Sequence, residues 1–302
     1  MKNKIVLAGG SGFIGAFLAK KFHDLGHKVF ILTRGKTQEN ESAVYLNWDG
    51  KTQGDWAQVL EGAELVINLA GKSVDCRYNE KNKKAILDSR VDATLALRKA
   101  IQQREVPPQV WINSSTATIY RHAEDRPMDE FTGEIGSGFS VEVAKAWEKA
   151  FFDSQTPQTR KIALRSAIVL GSGGGVLVPF KNLVNFGLGG VQGNGRQMFS
   201  WIHEEDLFEI IRFIQANGLE GVVNASAPGP VPNREVMKSL RKILRIPLGL
   251  PAPSFLLVAG AWFLRTETEL LLKSRWVVPG RLLKEGYHFK FPTLPEALEN
   301  LL

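Results

Sequence analysis

Three glycines at three-residue spacing, Gly9, Gly12 and Gly15, separate an apolar run from an amphipathic one. Ile5-Val6-Leu7-Ala8 reads as a buried strand. Ile14, Leu18, Phe22 and Leu25 then recur at helical spacing, and Gly26 supplies a stop. A strand, a GxxGxxG turn and a helix in this order limit the fold more than any other feature of the chain. Backbone N–H groups at a helix N-terminus carry partial positive charge, and glycines let a pyrophosphate approach them unobstructed. Gly9-Gly10-Ser11-Gly12-Phe13-Ile14-Gly15 is therefore expected to cradle a dinucleotide, with Gly9, Gly12, Phe13, Ile14 and Gly15 in contact with it.

Further apolar runs predict strands at 28–33, 65–70, 110–114 and 161–167, and helices near 83–104 and 141–152. Such alternation implies an α/β fold. The expected architecture is a Rossmann-type, doubly wound parallel sheet with right-handed crossovers and helices on both faces. Beyond residue 170 glycine and proline become frequent, which suggests a smaller C-terminal subdomain closing over a ligand. The reading is thus a nucleotide-binding domain at 1–170 and a smaller substrate-side region at 171–302.

The second strand ends at Thr33-Arg34, where an NAD-selective site places an acidic residue against the ribose 2′-hydroxyl. A hydroxyl and a guanidinium suit a 2′-phosphate instead. NADP is accordingly the expected cofactor, with Thr33 and Arg34 among its contacts.

The net charge is +7, and from residue 231 onward there are 11 Lys and Arg against 6 Asp and Glu. These basic residues are scattered among apolar helical positions and form no nucleic-acid motif, so a solvated surface is expected and no nucleic-acid partner. One cysteine, Cys76, precludes an intrachain disulfide. The apolar stretch 255–264 falls short of the about 20 residues that span a membrane. The first apolar run is too short for a signal segment. A soluble, cytoplasmic chain without a membrane partner is expected. The five histidines are scattered, and His203-Glu204-Glu205-Asp206 is not HExxH, so no metal is expected.

With these motifs in hand, the chain resembles the extended short-chain dehydrogenase/reductases, the NAD-dependent epimerase/dehydratase family. It is most similar to a branch of "epimerase family proteins" with a C-terminal domain of unknown function. The likeness runs through Gly9–Gly15, Trp48-Asp49, Asn68-Leu69-Ala70-Gly71 and Ser89-Arg90 with Thr94. It continues through Gly195-Arg196-Gln197, Trp201-Ile202-His203 and Val278-Pro279-Gly280-Arg281. The resemblance implies that Asp49 lies near the adenine, that Leu69, Ala70 and Gly71 line the cofactor, and that Arg90 contacts it. It also implies a homodimer paired through the two long helices of the nucleotide domain. The implied activity is that of an NADP-dependent oxidoreductase or epimerase on a small polar substrate. Arg77 and Arg90, facing one pocket, would suit an anionic one.

The family works through a Tyr-x-x-x-Lys pair, whose four-residue spacing puts both on one helical face and lets the lysine depress the tyrosine pKa. This chain has none: four residues after Tyr45, Tyr78, Tyr120 and Tyr287 stand Asp49, Asn82, Glu124 and Phe291. On the helix that should carry the pair, one register gives Ser140 and Ala144, the other Val141 and Lys145. Thr116, in Ser114-Ser115-Thr116, takes the place of the family's catalytic hydroxyl, or serves a turn at a strand end. Tyr120 and His203 are the other candidate proton donors, and Trp201 a candidate stacking surface. Asp206 is the expected N-cap of the helix that follows. The missing pair also motivates an alternative, a non-catalytic NADP(H)-binding redox sensor or assembly factor.

Overall fold

The computed structural model describes residues 3–153, 155–253 and 273–302. The first half alternates β1 (Lys4–Ala8), α1 (Phe13–Asp24), β2 (Lys28–Thr33), β3 (Gln38–Glu39), β4 (Val44–Asn47), β5 (Leu65–Asn68), α2 (Glu80–Gln102), β6 (Val110–Thr116), α3 (Phe139–Phe152) and β7 (Arg160–Ser166). Then come β8 (Ile168–Gly171), β9 (Gly174–Gly175), α4 (Leu177–Asn185), β10 (Met198–Phe199), β11 (Trp201–His203), α5 (Glu204–Ala216) and β12 (Gly221–Ala225). They are followed by β13 (Val231–Pro232), α6 (Asn233–Leu244), α7 (Gly280–Lys284) and α8 (Leu294–Leu301).

Eight strands form the main sheet in the order β12-β7-β6-β5-β1-β2-β4-β3. All neighbours run parallel except the β3–β4 pair. Both faces are covered, which explains why the strands read as unbroken apolar runs. Ile5 and Leu7 point into a core shared with Leu18 and Phe22 of α1 and with Phe208 and Ile211 of α5. Val6 and Ala8 point the other way, toward Ala93 and Leu97 of α2, Phe151 of α3 and the 3-10 turn Asp55–Leu60. The chain winds outward from β1 through β2 to β4, then returns to β5 and winds the other way. The β1–β5 boundary is the point where such sheets open a ligand crevice at the strands' C-terminal ends.

The elements expected from sequence are present with shifted ends. β5 stops at Asn68, two residues early, because the buried Asn68 side chain turns the backbone. Its Oδ1 accepts from Ala70 N–H (3.1 Å), and its Nδ2 donates to Asn113 Oδ1 (2.7 Å) and Thr94 Oγ1 (3.1 Å). α2 starts at Glu80, capped by Asn79, whose side chain accepts from Asn82 N–H. β4 is four residues long and mostly half-buried, too short to leave a pattern.

From Ile168 onward the chain forms two small sheets, β11-β8-β9 and β10-β13, and rejoins the main sheet as β12 against β7. α8 packs on α6, and Tyr287, Phe291, Leu294 and Leu298 join the same core as α1 and α5. Asp206 is not the cap of α5. His203 caps it, accepting at Nδ1 from Glu205 N–H (3.0 Å). Asp206, fully buried in the first turn, instead accepts from Lys290 N–H (2.8 Å), Phe291 N–H (2.9 Å) and the Tyr287 hydroxyl (3.2 Å). The apolar stretch 255–264 lies outside the described residues. Among the described residues, no helix is long and apolar enough to cross a membrane.

Candidate functional site

The glycine loop is built for close backbone approach. Gly9 has φ +74°, and a Cβ there would begin 2.6 Å from Ala70 Cα, so only glycine lets β1 turn against the segment after β5. Gly15 packs directly on the backbone of Gly10 and has no room for a side chain. Gly12 differs. It is the N-cap of α1, has no side-chain cap, and has nothing within 4 Å of where a Cβ would stand. The first N–H groups of α1, with Ile14 in that turn, are left to an outside acceptor. The Phe13 ring packs under the glycines of the β8–β9 turn, 3.3 Å from where a Gly174 Cβ would sit. That packing accounts for Gly171, Gly174 and Gly175, a purpose that sequence alone did not disclose.

At the end of β2, Thr33 Oγ1 donates to Ser11 Oγ (3.1 Å), tying the strand to the loop. Asn47 Nδ2 donates to the carbonyls of Arg34 (3.3 Å) and Gly35 (2.8 Å), which fixes this turn. The exposed Arg34 guanidinium makes no hydrogen bond or ion pair among the described residues. Asp49 is occupied by its own turn. Its carboxylate accepts from the N–H groups of Thr52 and Lys51 (both 2.8 Å), which hold its pKa below the usual carboxylate value.

Leu69 N–H donates to Ala8 O (2.8 Å), so Leu69, Ala70 and Gly71 run beside the end of β1. Beneath Gly71 lies Arg90 of α2. Its Nη1 donates to Lys72 O and Ile86 O (both 3.0 Å), and its guanidinium stands 5.1 Å over the Trp147 ring. Burial pulls its pKa down to about 10. Arg77 is exposed in the loop before α2, so the two arginines occupy different environments.

The three candidate proton donors differ sharply. Thr116 ends β6, half-buried, and its Oγ1 accepts from Thr118 N–H (3.1 Å), which leaves the hydroxyl proton uncommitted among the described residues. Tyr120 is buried, donates to Asn224 Oδ1 (3.0 Å) and accepts from Arg165 Nη1 (2.9 Å), and burial pushes its pKa up. His203 is buried and stacks on Phe291 at 3.9 Å between ring centroids. Because Nδ1 accepts, Nε2 carries the proton and donates to Asn300 Oδ1 (3.2 Å), and burial pushes the imidazole pKa down despite Asp206 nearby. Trp201 belongs to the core, with Nε1 donating to Gly229 O (3.1 Å), and offers no stacking face.

Sequence reasoning missed a buried ion pair beside this segment. Glu148 of α3 binds Arg165 of β7 through two contacts of 2.8 Å and also accepts from Ser115 Oγ (2.6 Å). Together with Tyr120 and Asn224 it locks α3, β6, β7 and β12 together behind Thr116. Lys273 Nζ donates to Thr118 O (3.1 Å). Next to it a cavity of about 510 Å³ is lined by Arg121, His122, Ile135, Gly136, Ser137 and Lys273.

Residues 5–226 match the NAD dependent epimerase/dehydratase family, and residues 252–301 match a domain of unknown function, DUF1731. The chain belongs to the epimerase/dehydratase family. It is 33% identical to mouse epimerase family protein SDR39U1 over 99% of each chain. It is 31% identical to the epimerase family protein YfhF of Bacillus subtilis (strain 168), over 99% of this chain and 97% of that one. The crystal structure of human epimerase family protein SDR39U1 (isoform2) with NADPH superposes with a TM-score of 0.87 at 31% identity, over 99% of this chain and 98% of that one.

Within this family member, α3 departs from the tyrosine–lysine arrangement in three dimensions as well as in sequence. Ala144 is fully buried in a cluster with Ala117, Tyr120 and Val141, and Lys145 points out to pair with Glu142 (3.1 Å). Neither register brings a lysine and a hydroxyl together.

Proposed function

We propose that this epimerase/dehydratase family member binds NADP(H) in the crevice between β1 and β5 and acts as an oxidoreductase or epimerase on a small polar substrate. One observation carries the reading: an open helix N-terminus at Gly12 and an unengaged guanidinium at Arg34, with no acidic side chain at the end of β2. A diphosphate fits the first and a 2′-phosphate the second, with the hydroxyls of Thr33 and Ser11 between them. Residues 1–170 would carry the cofactor contacts, and 171–302 the substrate side.

When bound, NADPH supplies a hydride to a carbonyl carbon. The chain supplies position. Gly9–Gly15 hold the diphosphate, Leu69, Ala70 and Gly71 form the wall after β5, and Thr116 offers a hydrogen bond to the substrate oxygen, whose proton comes from water. Lys273 beside the cavity brings a positive charge that favours an anionic group on the substrate, while Arg121 there is already paired with Asp125 and Glu134. A cytoplasmic homodimer, paired through α2 and α3, completes the reading.

A second reading is a non-catalytic NADP(H)-binding sensor. It draws on the burial of Tyr120 and His203 in structural hydrogen bonds and on Ala144 in place of the family's lysine. Calorimetric titration with NADP⁺, NADPH, NAD⁺ and NADH tests the cofactor. The phosphorylated pair should bind roughly 10- to 100-fold tighter, and Arg34→Ala should erase that preference. Equal affinity for all four would refute it. NADPH consumption with carbonyl substrates, lost in Thr116→Ala, separates the enzyme from the sensor.

A further inference from the structure

We infer that Arg90 sets a preference for the reduced cofactor, as a fixed positive charge that disfavours the cationic nicotinamide of NADP⁺ relative to the neutral ring of NADPH. The inference rests on the NADP(H) reading above and deepens it.

A guanidinium withdrawn from water normally faces a carboxylate, because an uncompensated buried charge is costly. Buried Arg165 follows that rule with Glu148. Arg90, half-buried, does not. Its hydrogen bonds go to two backbone carbonyls, and it makes no ion pair among the described residues. The nearest acids along α2 are engaged elsewhere, Asp88 by Lys84 (2.6 Å) and Asp92 by Lys51 (3.1 Å). The face of Trp147 and the neighbouring Tyr78 compensate it in part. The indole is itself fixed, with Nε1 donating to Thr94 Oγ1 (3.0 Å), and Thr94 Oγ1 donating to Arg90 O (2.8 Å). The guanidinium is therefore held in place, and with a pKa of about 10 it stays charged at neutral pH.

Its place in the fold gives that charge a use. Arg34 at the end of β2 marks the adenosine end of the crevice, so the nicotinamide end falls on the β5–β6 side. Gly71 follows β5 there, and a Cβ on Gly71 would lie 3.0 Å from Arg90 Cζ. Only the thickness of the loop separates the guanidinium from that half of the crevice. α3 contributes no lysine to it, since Ala144 stands in that position. The diphosphate is common to both redox forms, so it attracts the guanidinium equally in each and cancels from the comparison. The charge on the nicotinamide does not cancel. Like charges roughly 10 Å apart at an effective dielectric of about 20 differ in binding by about tenfold.

The test is the ratio of dissociation constants for NADP⁺ and NADPH, measured at low salt on the wild-type chain, Arg90→Lys and Arg90→Met. The wild type should favour NADPH about tenfold, Arg90→Lys should keep most of that ratio, and Arg90→Met should bring it close to one. A purely structural arginine would weaken both nucleotides alike and leave the ratio unchanged in Arg90→Met, which would overturn the inference. If Arg90→Met does not fold, the wild type still decides. Its bound couple should sit about 30 mV above the free one for a tenfold ratio, and parity or a preference for NADP⁺ would overturn the inference. Tight binding of both forms at parity defeats this inference alone, whereas absence of any nucleotide binding defeats the NADP(H) reading beneath it.

Discussion

His203 shows how much a side chain's neighbours decide its chemistry. It must be neutral to accept from Glu205 N–H, and burial holds its pKa below the unfolded value of about 6.5. As the pH falls, the unfolded chain takes up the proton first. The stability that His203 contributes is thus full above about pH 6.5 and is lost as the pH descends through the lower folded value. His203→Asn keeps a capping side chain and removes the titration. Denaturant unfolding between pH 7.5 and 5 should then show a shallower loss of stability in the variant than in the wild type, and identical slopes would refute the assignment. At this scale the turn after β1 was readable in advance. Gly9 acts through its left-handed backbone and Gly15 through its lack of a side chain, and both leave a local mark in the sequence. Glu148, Arg165 and Asn224 sit on three separate elements, and only folding brings them together.

Among the elements, α3 illustrates the difference between a spacing and an environment. Its helical period was plain, and so was the absence of a tyrosine four residues before a lysine. What replaced them was not. Ala144 fills a closed apolar niche under Tyr120, so a lysine there would lose its water beside Glu148, whose carboxylate is already committed to Arg165 and Ser115. Ser140→Tyr with Ala144→Lys should therefore cost about 3 kcal/mol or more in denaturant unfolding and add no turnover beyond the wild type's. A stable double variant with NADPH-dependent activity above the wild type's would show that the niche opens. The ends of β5 and the start of α5 shifted for a related reason. Asn68 and His203 satisfy backbone groups with side chains whose role a propensity pattern does not record.

For the molecule as a whole, the C-terminal stretch behaves as part of the main core. Asp206 takes three hydrogen bonds from the segment 287–291, and the apolar residues of α8 share a core with α1. Asp206→Ala leaves Phe291 N–H buried and unpaired, takes the acceptor from Lys290 N–H and leaves the Tyr287 hydroxyl only the backbone carbonyl of residue 206, at about 2 kcal/mol in all. Unfolding should remain one transition, moved as a unit, with tryptophan fluorescence and far-ultraviolet dichroism coinciding. A separate early transition would show that the C-terminal stretch melts alone. The parallel sheet covered on both faces followed from the alternation of apolar runs, but nothing local announced that β12 would return to lie against β7. That return has a consequence for recombination among relatives. A chimera joined at residue 170 takes its outermost parallel strand from the second parent and must fit it to a β7 inherited from the first. Halves of such chains are therefore not interchangeable cassettes, and descent should preserve the pair across that seam together.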